Sequence, residues 1–249
     1  MRSTHQQIAT EQPLKGLRLV VCGFELEQRE HRGIAVFSKG LLRSLKQAGA
    51  EVWLLSEVAP PMHDMLSRAW LPREVRRTVF TARLLDQLNN GKSRFIVDSA
   101  LKRLLRSVPV LGRVLGLLER IQDLNQTPFP RRRIHSNQLT QIPANQLLGS
   151  PYQRCERLAY LRDIDGVICA SNCFRDSFQL ARKRANQTMQ IDLNGFDGFI
   201  TTSPLNLQPL NTPLFLQTVH DLIPLEYGRT LDHIPSFSSR LLATTNARR

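Results

Sequence analysis

An imidazole and a carboxylate stand side by side at His220 and Asp221, directly after the apolar, β-favouring run Leu214 to Val219. That run reads as a buried strand, which puts the pair at its carboxyl end. In open α/β sheets ligands bind just outside those ends, so the two groups are positioned to meet one. The competing reading is local, with Asp221 capping a turn and His220 bonding nearby backbone. A second chemical signal is Gly33-Ile34, at the start of a stretch where Ile34, Phe37, Leu41, Leu45 and Ala48 recur at helical spacing and Gly49 supplies a stop. The first turn of a helix offers unpaired N–H groups to a phosphate, and a glycine there permits close backbone approach. The plainer alternative is a turn glycine.

Both signals need a sheet to hold them. Leu17 to Phe24 and Glu51 to Leu55 are short apolar runs suited to parallel strands, and with the intervening helix they form a strand, loop, helix, strand unit. Gly166 to Ala170 and Phe196 to Thr202 are further strand candidates, and Met189 to Leu193 is a shorter one. A helix running through Phe174, Phe178 and Ala181 follows Ser171 or Asn172 as cap. The expected fold is α/β: a Rossmann-like, mainly parallel sheet flanked by helices, with a basic helical insertion. Residues 1–16 read as a polar tail, 17–229 as the domain, 60–150 as a helical or irregular insertion, with an irregular connector from Ile134 to Tyr152, and 230–249 as the start of a helix cut short.

The chain has 249 residues, 41% of them apolar, enough for a sizeable core, and a formal charge of +13. Such a charge attracts polyanions. It is concentrated between Leu66 and Arg133, where 15 Lys and Arg face 5 Asp and Glu. Within that region Leu101, Leu104, Leu105, Val108, Leu115 and Leu118 share one helical face and Lys102, Arg103, Arg106, Arg113 and Arg120 lie largely elsewhere, the pattern of a helix on an anionic membrane surface. An ordinary surface helix broken at Pro109 fits the same residues. Aromatic side chains for stacking bases are nearly absent there, which counts against nucleic acid. Cys22, Cys155, Cys169 and Cys173 show no C-x-x-C spacing, so neither a zinc site nor a redox pair is expected, and no other metal cluster or cofactor is read. The polar amino terminus, the few cysteines and the lack of a long apolar span suggest a cytoplasmic protein, peripheral on the inner face of the membrane if the basic helix binds there.

The residues Thr218, His220, Asp221, Leu222, Ile223, Pro224 and Leu225 resemble the T-x-H-D-L-I-P-L stretch of retaining glycosyltransferases of the two-Rossmann-domain (GT-B) class, family 4. The segment FDGFITTSPL, Phe196 to Leu205, is similar to the strand and Thr-Ser-Pro turn that precede that stretch in part of the family, and Gly33-Ile34 stands where its members carry a glycine-rich loop. The resemblance implies the acceptor-side half of an enzyme that moves a sugar from a nucleotide-sugar donor to an acceptor hydroxyl, on a glycan or lipid, with retention. It implies His220 near the reacting centre, Gly33 and Ile34 near the diphosphate or acceptor, Ser203 in the substrate turn, and Asp221 orienting His220. The family's donor-binding domain is not recognisable after Tyr227. The expectation is therefore a half-enzyme, inactive alone, with a partner carrying that domain. The alternative class is a non-catalytic basic module for anionic lipid or nucleic acid.

Overall fold

The computed structural model describes residues 12–58, 72–90, 130–147, 155–183 and 187–220. The expected helices around Leu101 to Leu118 and over 230–249 lie outside the described residues. The strands are β1 (Arg18–Cys22), β2 (Glu51–Ser56), β3 (Arg133–Ile134), β4 (Thr140–Pro143), β5 (Gly166–Cys169), β6 (Met189–Asp192), β7 (Gly198–Thr201), β8 (Leu207–Leu210) and β9 (Leu214–Gln217). The longer helices are α1 (Gly33–Gln47), α2 (Arg73–Asn90) and α3 (Cys173–Lys183). Among the described residues no helix is long and apolar enough to cross a membrane.

The main sheet has the order β4-β5-β2-β1-β7-β9, parallel throughout except for the β4–β5 pair. Numbered along the chain, its five parallel strands lie 3-2-1-4-5, a Rossmann-like arrangement whose order reverses between β1 and β7. All five strands expected to share one sheet do so. The shorter candidate, β6, lies instead in a second parallel sheet of order β3-β6-β8. The stretch from Ile134 expected to be irregular holds β4, which closes the far edge of the main sheet antiparallel to β5.

Inner strands bury both faces because successive side chains alternate across the sheet. Leu19, Val21, Val52, Leu54 and Val167 pack with α1, α2 and the 3-10 segment Glu156–Asp163. Val20, Cys22, Leu55, Ile168 and Phe199 pack on the other side with Phe174 of α3 and with Met189, Ile191 and Leu207 of the small sheet. Burial pushes the Cys22 and Cys169 thiols well above their ordinary range, which makes them inert core groups. The exception to two-sided burial is β9, where Leu214 and Leu216 are 43% and 47% exposed. The expectation of a buried strand there fails because β9 is the last strand of the sheet and no described element covers its outer side.

One device recurs at two junctions. The backbone N–H of Asp165 donates to the Val52 carbonyl at 2.7 Å, and its Oδ2 accepts the Val52 N–H at 2.8 Å. Asp197 treats Arg18 identically, at 2.8 Å and 2.7 Å. Each aspartate is followed by a glycine that opens the next strand. A Cβ on Gly166 would lie 2.5 Å from the Trp53 ring and 2.7 Å from the Ile142 carbonyl oxygen, so only glycine lets β5 sit between β2 and β4. Gly40, on the exposed side of α1, has nothing within 4 Å of such an atom. Gly166→Ala is expected to destabilise by about 1–3 kcal/mol through overpacking. Gly40→Ala is expected to stabilise by roughly 0.5–1 kcal/mol through the gain in helix propensity. Urea denaturation midpoints of the two variants measure both.

Candidate functional site

In open α/β sheets ligands bind outside the carboxyl ends of the strands where the order reverses, here between β1 and β7. From β1 the chain enters a 3-10 turn, Phe24–Glu27, and then α1. The residue before α1, Arg32, has extended backbone and makes no side-chain capping bond, its guanidinium being paired with Glu30 at 2.7 Å. The first N–H groups of α1, from Gly33 on, therefore lack a side-chain cap and sit at the positive end of the helix. A Cβ on Gly33 would meet nothing within 4 Å, so open space rather than packing surrounds it. Ile34 is half-buried, and its carbonyl accepts from Ser38 Oγ at 2.8 Å.

From β7 the chain runs through Thr201, Thr202 and Ser203, whose exposures are 0%, 0% and 6%. The hydroxyl of each is buried with no hydrogen-bond partner among the described residues. A buried hydroxyl in that state costs about 1–3 kcal/mol, so three in succession amount to a concentrated loss that packing alone does not explain. Beyond β9, the Thr218 N–H still reaches the Thr201 carbonyl at 2.9 Å, and two residues later His220 Nε2 lies 2.7 Å from the Thr202 carbonyl oxygen. A carbonyl only accepts, so Nε2 carries the proton and Nδ1 is left as the other ring nitrogen, a lone pair in the neutral form. The ring meets Phe37 edge-on, with centroids 4.7 Å apart. Phe37 stands one turn beyond Gly33 on the same side of α1, about 6 Å along the axis. His220, the first turns of α1 and the end of β7 thus meet at the carboxyl edge of the sheet. Asp221 lies outside the described residues.

The expected apolar face of α1 is shifted: Ala35, Ser38 and Leu42 are its buried positions, while Phe37 is 42% exposed and serves His220. Sequence reasoning also missed a second polar group, on the other side of α1. Tyr160 is 3% exposed, and its hydroxyl has no hydrogen-bond partner among the described residues. His31 lies tilted against it at 6.5 Å between centroids, donates from Nε2 to the Leu26 carbonyl at 3.0 Å, and has a buried Nδ1 with no partner among the described residues. Lys39 Nζ lies 5.9 Å from the centre of the Tyr160 ring. Arg157 donates to the carbonyls of Leu88, Arg29 and Gln28, tying the loop after β1 to the end of α2. The loop's own composition, ELEQREH, carries acids and a histidine directly after the first strand and was the available signal for His31. Nothing in the sequence marks Tyr160.

A scan against protein-family models, a search of curated proteins and a search of solved structures each found no match.

Two measurements probe these groups. Thr202→Val and Ser203→Ala remove unpartnered hydroxyls with little change of shape, and each is expected to raise stability by about 1 kcal/mol. Chemical denaturation reads the gain, and a loss of stability instead would mean that the hydroxyls are satisfied in solution. Desolvation, with lesser contributions from the Arg157 and Lys39 charges, pushes the His31 pKa below its ordinary value. Its proton is therefore bound more readily in the unfolded chain, so this contribution to stability is present above about pH 6.5 and is lost as pH falls through the unfolded and then the folded pKa. Denaturation midpoints between pH 7.5 and 5 should fall, and the fall should be shallower in His31→Gln.

Proposed function

We propose that this chain provides the acceptor-side, Rossmann-like domain of a retaining glycosyltransferase using a nucleotide-sugar donor. The observation that carries the reading is the meeting of His220, held by the Thr202 carbonyl, with Phe37 near the start of α1 at the reversal of strand order. It is supported by the resemblance of the segments around Ser203 and His220 to family 4. Retaining transfer needs stabilisation of a sugar with oxocarbenium character and of a departing diphosphate. Aligned N–H groups at Gly33 and Ile34 supply positive potential for a phosphate or an oxygen-rich acceptor. His220 is a fixed hydrogen-bonding group: its Nε2 is engaged by Thr202, so its orientation is set before any ligand arrives. In this reading Asp221 holds the turn after His220.

The groups described line one wall of such a ligand's surroundings. The proposal includes a donor-binding domain that supplies the facing wall, acceptors of glycan or lipid type, and peripheral attachment to an anionic membrane through the basic segment 66–133, at the cytoplasmic face. The 249-residue protein carries this wall of the site. It is expected to bind a sugar nucleotide or acceptor weakly, and His220→Ala should weaken that binding about three- to tenfold, the value of one hydrogen bond. Calorimetric titration checks the binding. Binding indifferent to His220 would refute the site.

A further inference from the structure

We infer that Asn194 is a site of spontaneous covalent modification, at which the backbone nitrogen of Gly195 displaces the side-chain amide and the turn between β6 and β7 is converted to aspartate and isoaspartate forms. This inference is independent of the glycosyltransferase reading.

The turn runs from Leu193 to Phe196 and is closed by the Phe196 N–H, which donates to the Leu193 carbonyl at 3.1 Å. Gly195 has φ +88° while Asn194 keeps a negative φ, which makes this a type II turn with asparagine second and glycine third. Its ends are anchored and its tip is open: Leu193 and Phe196 are buried, and Asn194 and Gly195 are exposed. Among the described residues neither the Asn194 side chain nor the Gly195 N–H has a hydrogen-bond partner. The peptide that joins them is the central one of the turn, which the closing bond does not hold. Type I and type II turns differ by rotation of that peptide, so it can swing toward the side chain while both ends stay in place. Glycine has no Cβ to obstruct the approach to its nitrogen.

The chemistry needs only water. The Gly195 nitrogen loses its proton and attacks Cγ of Asn194. A C–N bond forms, the bond from Cγ to Nδ2 breaks, and Nδ2 leaves as ammonia with the proton that Gly195 gave up, which closes a cyclic imide. Water then opens the ring at one of its two carbonyls. Addition at Cγ gives aspartate with the main chain unchanged, and addition at the main-chain carbonyl gives isoaspartate, in which the chain runs through Cγ and is longer by one methylene. Other asparagines lack these conditions. Asn206 is buried, with Nδ2 donating to the Ser177 and Gln187 carbonyls, Asn211 Nδ2 donates to Asp192, and neither precedes a glycine.

The position of the turn gives the change a structural effect. The three residues after Asn194 all bind Arg18: the Gly195 carbonyl accepts from its Nη1 at 2.8 Å, the Phe196 ring centre lies 4.6 Å from its guanidinium, and Asp197 engages its backbone N–H and carbonyl. A longer main chain at 194 displaces the first of these contacts relative to the last. A carboxylate there without added length leaves them in register.

The test incubates the full chain at about pH 8, folded and in parallel unfolded in urea, and maps peptides by mass spectrometry with fragmentation that separates the two aspartyl forms. Both forms are expected to accumulate at Asn194 in the folded chain, at a rate within about tenfold of the unfolded chain, because rotating an unbonded peptide adds little to the barrier. Asn194→Gln, which would have to close a larger ring, should show no conversion at that position. The fraction enriched in isoaspartate should melt below the unmodified protein, and Asn194→Asp should melt with it. Conversion at Asn194 in the unfolded chain alone would overturn the site, and an isoaspartate fraction as stable as the unmodified protein would overturn its effect on Arg18.

Discussion

The strand junctions of this fold depend on an aspartate that binds both backbone groups of one residue on the neighbouring strand. Asp165 does so for Val52 and Asp197 for Arg18, joining β5 to β2 and β7 to β1. A parallel strand pair leaves its first N–H and carbonyl groups without ladder partners, and a carboxylate acceptor makes a stronger bond there than a neutral group would. The carbonyls of both aspartates are used as well: Asp165 accepts from Ala144 and Asp197 from Leu214, so each residue touches the strands on both of its sides. Lys46 at 2.5 Å from Asp165 and the Arg18 guanidinium over Phe196 surround these clamps with charge of the opposite sign. Register fixed at the amino end of the strands carries through to the carboxyl end. A slip of one residue in β7 would turn each of its side chains to the other face of the sheet and displace the Thr202 carbonyl that holds His220.

Helix α1 divides the carboxyl edge into two polar territories. One side presents Phe37 to His220, the other presents Lys39 to Tyr160, and the buried line Ala35, Ser38, Leu42 anchors the helix between them. Further along, Arg43 and Lys46 reach Asp163 and Asp165. The helix is thus oriented by ion pairs at its far end, where they cost little, while its first turn keeps its N–H groups without a side-chain cap.

Much of the sheet was legible in the sequence. The runs around Leu19, Val52, Val167, Phe199 and Leu216 announce strands because parallel strands buried on both faces leave nearly continuous apolar residues. The same rule misled for β9, whose apolar run looks like that of an inner strand although the strand stands at the edge, because a run of residues carries no information about which neighbour is absent. β4 was hidden by its polar composition, since Thr140 and Gln141 occupy an edge position where solvent tolerates them. The pairing of His220 with Phe37 could not be read, because it joins residues 183 positions apart through a helix face chosen by Ala35 and Leu42. Tyr160 was invisible for a similar reason. Its meaning lies in what surrounds the hydroxyl, and those groups come from three separate elements.

The placement of β1 at the centre of the sheet has a consequence for how the chain comes to be folded. One of its edges is satisfied by β2, a short distance along the chain, but the other waits for β7, and Arg18 and Asp197 are separated by 179 residues. At common synthesis speeds the interval between the two is roughly 10 to 40 s. Throughout it, an apolar strand with an open edge exists without its partner, and the loop that must close is among the longest the chain permits. Such a topology folds slowly and exposes the nascent protein to wrong pairings, so the strand beside which the order reverses in the finished molecule is the most vulnerable element while it is being made.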